Sequence, residues 1–195
     1  QAMGTVPILQ FASLPEPDKK DYVSPWQFFD FCKEAGIEPI YQLNTLLYAE
    51  GEKVYLLADA GKGGLFGKDD LWGGPGVVLA PEKRAAAAKA VTGFVAVTRQ
   101  RGFKVTHWEL GNEEYGGPRI DPQDYADIVV RFVHAVHVAN PGAQVWITLC
   151  DNAIRDPESE FTRWAKTLLQ LLAKTDLRDN KHIGFTLHYG CPWVR

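Results

Sequence analysis

Three apolar runs begin at Val105, Gln144 and Ile183, 39 residues apart each time, and this even spacing constrains the chain more than any other feature. Each interval has room for one strand, one helix and two short connections, so a β/α unit repeats without obvious identity of residues. Two further runs, Val6 to Phe11 and Ile37 to Asn44, precede them. Strands that alternate with single helices predict a parallel sheet, and near-continuous apolar strands fit a sheet buried on both faces.

The intervening segments carry helix signals. Ser24-Pro25-Trp26-Gln27 supplies an N-cap, a proline at the first helical position and a capping-box glutamine. Phe28, Phe31, Cys32 and Ala35 follow on one face, and Gly36 is the stop. The alanine-rich stretch Pro81 to Arg101 presents Ala87, Val91, Phe94 and Val95. Asp121-Pro122 opens a helix with Tyr125, Ile128, Val129, Phe132, Val133 and Val136 at helical spacing; Asp156-Pro157 opens another with Phe161, Trp164, Ala165, Leu168, Leu171 and Leu172. Between Ile37 and Val105 the interval is longer, and its surplus includes Gly61 to Gly76, with seven glycines around Leu65, Phe66, Leu71 and Trp72. After a barrel strand, such a loop falls on the face where substrate sites are shaped; a surface insertion explains it as well.

A content of 46% hydrophobic residues supplies a core, and a net charge of −3 gives no single-sign excess to attract nucleic acid or anionic lipid. No apolar run approaches the roughly 20 residues that cross a bilayer. Residues 1–5 lack the basic and apolar regions of a signal peptide and read as a vector-derived remnant. Cys32, Cys150 and Cys191 are odd in number and lack CxxC spacing, so neither a disulfide framework nor a zinc site is expected, and Cys32 reads as a small core residue. Unpaired cysteines lean toward a reducing cytosol, whereas enzymes that degrade polysaccharides are often exported; the compartment stays open.

The run Trp108-Glu109-Leu110-Gly111-Asn112-Glu113-Glu114 ends an apolar strand with an amide and a carboxyl side by side. At the rim of a β/α barrel, such strand-end residues do the chemistry. Hydrolysis of a glycoside by two carboxyl groups needs a protonated acid beside the leaving oxygen and, in retaining enzymes, a second carboxylate about 5 Å away that attacks the anomeric carbon. Glu113 suits the first role, since burial at the barrel mouth would favour its protonated form. Asn112 offers a donor and an acceptor to a sugar hydroxyl.

Neighbouring groups have plainer readings. Glu109 points into the barrel lower down and is expected to make a structural hydrogen bond, and Glu114, just past the strand, is expected in solvent. Asp151 is the best internal candidate for a second carboxylate, although loop capping explains an Asp-Asn pair more readily. His134 and His137 accompany Asp124, Asp127 and Arg131 on a polar helix face, His107 fits the core, and His182 fits the surface. Gly61-Lys62-Gly63-Gly64 matches no phosphate-loop pattern. Trp72, Tyr115 and Trp193 could stack on sugar faces or simply anchor loops.

Trp108 to Glu113, Trp26 to Asn44 and Leu187-His188-Tyr189 together resemble clan A glycoside hydrolases, most closely the α-L-arabinofuranosidases and less closely the heparanase-like β-glucuronidases. The resemblance spans roughly residues 24 to 190. It implies a (β/α)8 barrel with Glu113 as acid/base, Asn112 and Asn44 as sugar ligands, and His188 and Tyr189 lining the pocket. It also implies a nucleophilic glutamate ending strand seven, yet no carboxyl follows His188 in this chain. A complete barrel takes about 250 residues, so the chain reads as one partial barrel over residues 1–195, about strands three to six with flanking pieces.

The expectation is therefore an α/β domain from a retaining glycosidase that cleaves polysaccharide side chains. It needs no cofactor or metal, binds carbohydrate, and is inactive by itself unless a further segment or second chain completes the barrel. The alternatives are a non-catalytic carbohydrate-binding or assembly domain derived from such a barrel, and an unrelated open α/β sheet in which the Asn-Glu pair is coincidence.

Overall fold

A computed structural model describes residues 24–50, 53–56, 80–115, 120–150 and 156–188. The first helix, α1 (Pro25–Ala35), starts as its capping box dictates: the Gln27 N–H donates to Ser24 Oγ at 3.2 Å, and the Ser24 N–H donates to Gln27 Oε1 at 2.8 Å. It stops at Gly36, whose φ of 68° is the left-handed conformation that glycine adopts without a Cβ penalty. The packed stripe differs from the expected one. Trp26, Phe29 and Cys32 are buried, whereas Phe28 and Phe31 are 37% and 62% exposed. Aromatic packing decides this, because Trp26 and Phe29 lie 5.5 and 6.3 Å from Phe94, and Phe29 lies 5.0 Å from Tyr41.

Strand β1 (Ile40–Leu43) follows, then a hairpin of β2 (Leu47–Glu50) and β3 (Lys53–Leu56), which the sequence reading did not include. The remaining elements are α2 (Pro81–Gln100), β4 (His107–Leu110), α3 (Pro122–Ala139), β5 (Gln144–Cys150), α4 (Glu160–Leu172) and β6 (Ile183–His188). The Asp121 carboxylate caps α3 by accepting from the Gln123 N–H at 2.8 Å. In α4 the cap is Ser159, which accepts from the Thr162 N–H at 3.1 Å. The expected start at Asp156-Pro157 is instead a turn, in which Asp156 Oδ1 takes the Glu158 N–H and the Asp156 carbonyl takes the Thr162 hydroxyl.

The main sheet has the order β1-β4-β5-β6 and every pairing is parallel. Among the described residues, the strands of this sheet thus neighbour one another in chain order, with no reversal. Tyr41, Leu43, Trp108, Leu110, Val145, Ile147 and Leu149 form one core with helix residues such as Phe94, Val95, Ile128, Phe132 and Leu168. The opposite face carries Gln42, His107, Glu109, Trp146 and Thr186. A doubly wound sheet reverses its strand order and is covered by helices on both sides. This one is wound in a single sense with its apolar layer on one side, as in an arc of a β/α barrel. The open-sheet alternative loses its basis.

Lower on the inner face, the Trp146 indole lies across Gly184, where a Cβ would overlap its ring, and its Nε1–H donates to His107 Nδ1 at 3.1 Å. Neither His107 nor His182 stands free: His182 Nδ1 is 3.0 Å from Gln144 Nε2. Among the described residues β1 and β6 bound the sheet, and at the β6 edge Phe185 and Leu187 are 44% and 61% exposed. No helix among the described residues is long and apolar enough to cross a membrane.

Arg84 ties α2 to α3. Its guanidinium meets Asp124 at 2.6 Å and Asp127 at 2.9 Å, and Arg131 adds a second cation to Asp127 at 2.9 Å. Partial burial opposes ionisation of Asp127, but the hydrogen bonds and charges of Arg131 and Arg84 outweigh it and hold the carboxyl below its ordinary 3.8. The contribution is therefore present above the unfolded value and is lost as pH falls through the folded one. Water screens this third-exposed side chain, so the effect is modest. The urea midpoint of the wild type should fall further between pH 6 and pH 3 than that of Asp127→Asn. Equal falls would remove Asp127 as a source of the acid sensitivity.

Candidate active site

β4 is held on both sides, between β1 and β5. Trp108 is fully buried, with its ring 5.9 Å from both Tyr41 and Phe94, and the Tyr125 hydroxyl donates to the Leu110 carbonyl at 2.7 Å. Burial pushes that hydroxyl well above its ordinary pKa, and the negative charges of Glu114 and Glu109 add to the rise, so it stays a donor.

Beyond Leu110 the chain turns sharply. Gly111 has φ 73° and Glu113 has φ 59°, so two of three consecutive residues are left-handed. For glycine this is easy; for a glutamate it costs about 1 kcal/mol or more. Gly111 is needed for a second reason as well, because a Cβ there would coincide with the Glu114 carboxylate. Its N–H donates to the Leu43 carbonyl at 2.8 Å, which ties the β4 exit to the β1 exit.

The two neighbouring glutamates separate by burial. Glu113 is half-buried, whereas Glu114 is 6% exposed. The expectation that Glu114 lies in solvent is corrected: the Thr45 hydroxyl, itself 1% exposed, donates to Glu114 Oε1 beneath the turn. Its backbone carbonyl accepts from the Ile120 N–H at 3.0 Å. The residue is buried because the left-handed pair folds position 114 back onto the space that Gly111 leaves empty.

Asn112 is exposed at the crest of the turn, and its Oδ1 accepts from Gln42 Nε2 at 3.4 Å. The same Gln42 nitrogen lies 3.2 Å from Glu109 Oε2, and the Thr186 hydroxyl donates to Glu109 Oε1 at 2.6 Å. Glu109 thus makes the structural hydrogen bonds expected of it, and it links β1, β4 and β6 across the inner face. With its oxygen accepting, Asn112 has its Nδ2–H2 group to offer a ligand oxygen. Asn44 directly follows β1 at the same edge, and its Oδ1 accepts from the Leu46 N–H at 2.7 Å, holding the β1 exit as an Asx turn.

Asn44, Asn112 and Glu113 are therefore brought together at the C-terminal ends of adjacent strands. His188 ends β6 at that same edge, in register with Cys150. Tyr189, Trp72, Asp151, Cys191 and Trp193 lie outside the described residues. Tyr115 is buried against Phe161 and Trp164, ring centroids 5.9 and 6.0 Å away, which is the loop-anchor reading. A depression of about 320 Å³ between the starts of α3 and α4 is lined by Ile120, Asp121, Pro122, Glu160, Arg163, Trp164 and Thr167, and contains none of the expected site residues. Among the described residues no group of three or more His, Cys, Asp or Glu side chains could hold a metal ion.

Gln42, Thr45 and Thr186 were not anticipated. Gln42 could have been found, since it interrupts the apolar run Ile40-Tyr41-Gln42-Leu43 at one inward position. Thr45 and Thr186 carry no sequence signal of their partners.

No protein-family profile matches the chain, and no curated protein does. Among solved structures, the GH51 α-L-arabinofuranosidase of Thermotoga petrophila RKU-1 aligns at 17% identity with a TM-score of 0.41, over 76% of this chain and 25% of that one. An α-L-arabinofuranosidase of Thermotoga maritima, in complex with arabinose, aligns at 18% identity and a TM-score of 0.40, over 78% and 26%. A third arabinofuranosidase aligns at 20% identity and a TM-score of 0.41, over the same shares. The heparanase-like alternative draws no support from these matches. The chain spans about a quarter of the length of the solved structures it resembles.

Proposed function

We propose that this chain carries the acid/base side of a retaining glycoside hydrolase site that removes arabinofuranosyl or similar side chains from polysaccharides. The observation that supports this best is the backbone of Glu113. A non-glycine residue kept in a left-handed conformation at a strand end, with its carboxyl half-buried beside an exposed amide, is the kind of local cost that functional positions retain.

In this reading Glu113 gives its proton to the leaving oxygen as the glycosidic C–O bond breaks, while a second carboxylate forms a bond to the anomeric carbon. Glu113, now ionised, then takes a proton from water as the water oxygen displaces that carboxylate. Asn112 donates to the sugar 2-hydroxyl, and Asn44, His188, Tyr189 and Trp72 border the sugar. The attacking carboxylate comes from polypeptide outside these 195 residues, either more of this chain or a second chain, which would also cover the β6 edge.

The natively expressed protein should hydrolyse a chromogenic α-L-arabinofuranoside and bind arabinoxylan fragments in calorimetry. Binding without hydrolysis would identify a non-catalytic sugar-binding domain instead. Neither binding nor hydrolysis of any of a panel of glycosides would end the proposal.

A further inference from the structure

We propose that Glu114 is a positioning residue for this site, and that its bond to Thr45 sets the spacing between the two loops on which the sugar-facing groups stand. The inference rests on the acid/base reading of Glu113. Asn44 belongs to the β1 exit; Asn112 and Glu113 belong to the β4 exit. Besides the bond from Gln42 Nε2 to Asn112 Oδ1 at the crest, two ties join these loops: the Gly111 N–H to the Leu43 carbonyl at 2.8 Å, and the Thr45 hydroxyl to the Glu114 carboxylate. The first fixes only the root of the turn. The second acts at its far end, past Glu113, and ties to the β1 exit a residue whose carbonyl also holds the Ile120 N–H.

Burial makes the second tie specific. Thr45 and Glu114 are 1% and 6% exposed, so water replaces neither partner readily, and a hydroxyl bonded to a carboxylate is among the stronger hydrogen bonds. The space Gly111 leaves for the carboxylate means that turn, glycine and acid were fitted to one another. A threonine one residue after Asn44 thus holds a glutamate one residue after Glu113, so each ligand-bearing side chain is flanked by half of the clamp. Displacing one loop by about 1 Å is enough to cost on the order of 100-fold in rate without weakening binding comparably.

The test uses Thr45→Val, which keeps the shape and removes the donor, Thr45→Ser, which keeps the donor, and Glu114→Gln, which keeps the shape and drops the charge. Each is assayed in the native protein for kcat and KM on an unactivated arabinofuranoside, whose leaving group needs the proton, well below its melting temperature. Thr45→Val should lower kcat about 10- to 100-fold with KM changed less than about threefold, Thr45→Ser should restore most of the loss, and Glu114→Gln should fall between. Should Thr45→Val fail to fold, Glu114→Gln carries the decision. Folded variants with wild-type kcat overturn the positioning role while leaving Glu113 in place. A wild-type protein that neither binds nor cleaves overturns both readings together.

Discussion

Glu113→Gln should lower kcat/KM on natural arabinosides by roughly 10²- to 10⁴-fold, the range that a positioned acid or base contributes. The loss should depend on the leaving group. An unactivated sugar alkoxide cannot depart without a proton, whereas a nitrophenolate largely can, so kcat/KM on the activated substrate should fall far less. Binding should survive, since the amide fills the same volume and Asn112 keeps its bond to Gln42. Glu113→Gly provides the companion measurement. It removes the same carboxyl and relieves the left-handed cost, so it should be as inactive as Glu113→Gln. Equal hydrolysis by Glu113→Gln and wild type on the unactivated substrate would exclude position 113 from the proton transfers.

Regular periodicity made most of the layered architecture legible. The α3 stripe from Tyr125 to Val136 is fully buried, and β6 runs from Ile183 to His188, because a 3.6-residue or near-continuous apolar pattern leaves little choice of face. Legibility failed where two patterns compete. α1 carries apolar residues on two adjoining stripes, and only the ring cluster of Phe94, Phe103 and Tyr41, distant in sequence, selects Trp26 and Phe29 over Phe31. The start of α4 was misplaced by three residues because Asp156-Pro157 and Ser159-Glu160 are both plausible caps, and the hydroxyl pair of Ser159 and Thr162 decides between them. At the candidate site, the position of Asn112 and Glu113 just past a strand end was legible because the apolar run stops at Leu110. The burial of Glu114 was not, because it depends on two left-handed dihedrals and on Thr45, 69 residues away.

Gly111→Ala should be strongly destabilising for a change of a single methyl. The left-handed backbone at φ 73° costs an alanine about 1 kcal/mol or more. The new Cβ must also displace the buried Glu114 carboxylate, and separation from Thr45 leaves buried polar atoms at about 1–3 kcal/mol. Reduced freedom of the unfolded chain returns about 0.4–1 kcal/mol. The net loss, about 2–3 kcal/mol, is a large part of a typical domain's stability, and chemical denaturation would measure it directly. The two causes separate in a double-mutant cycle. In a Glu114→Ala background no carboxylate stands in the way, so the same Gly111→Ala change should cost only the backbone conformation less the unfolded-chain gain, at most about 1 kcal/mol. Strict additivity of the two substitutions would mean that the acid does not occupy the space beneath Gly111, and with it would go the clamp that fixes Asn112 and Glu113 at the strand end.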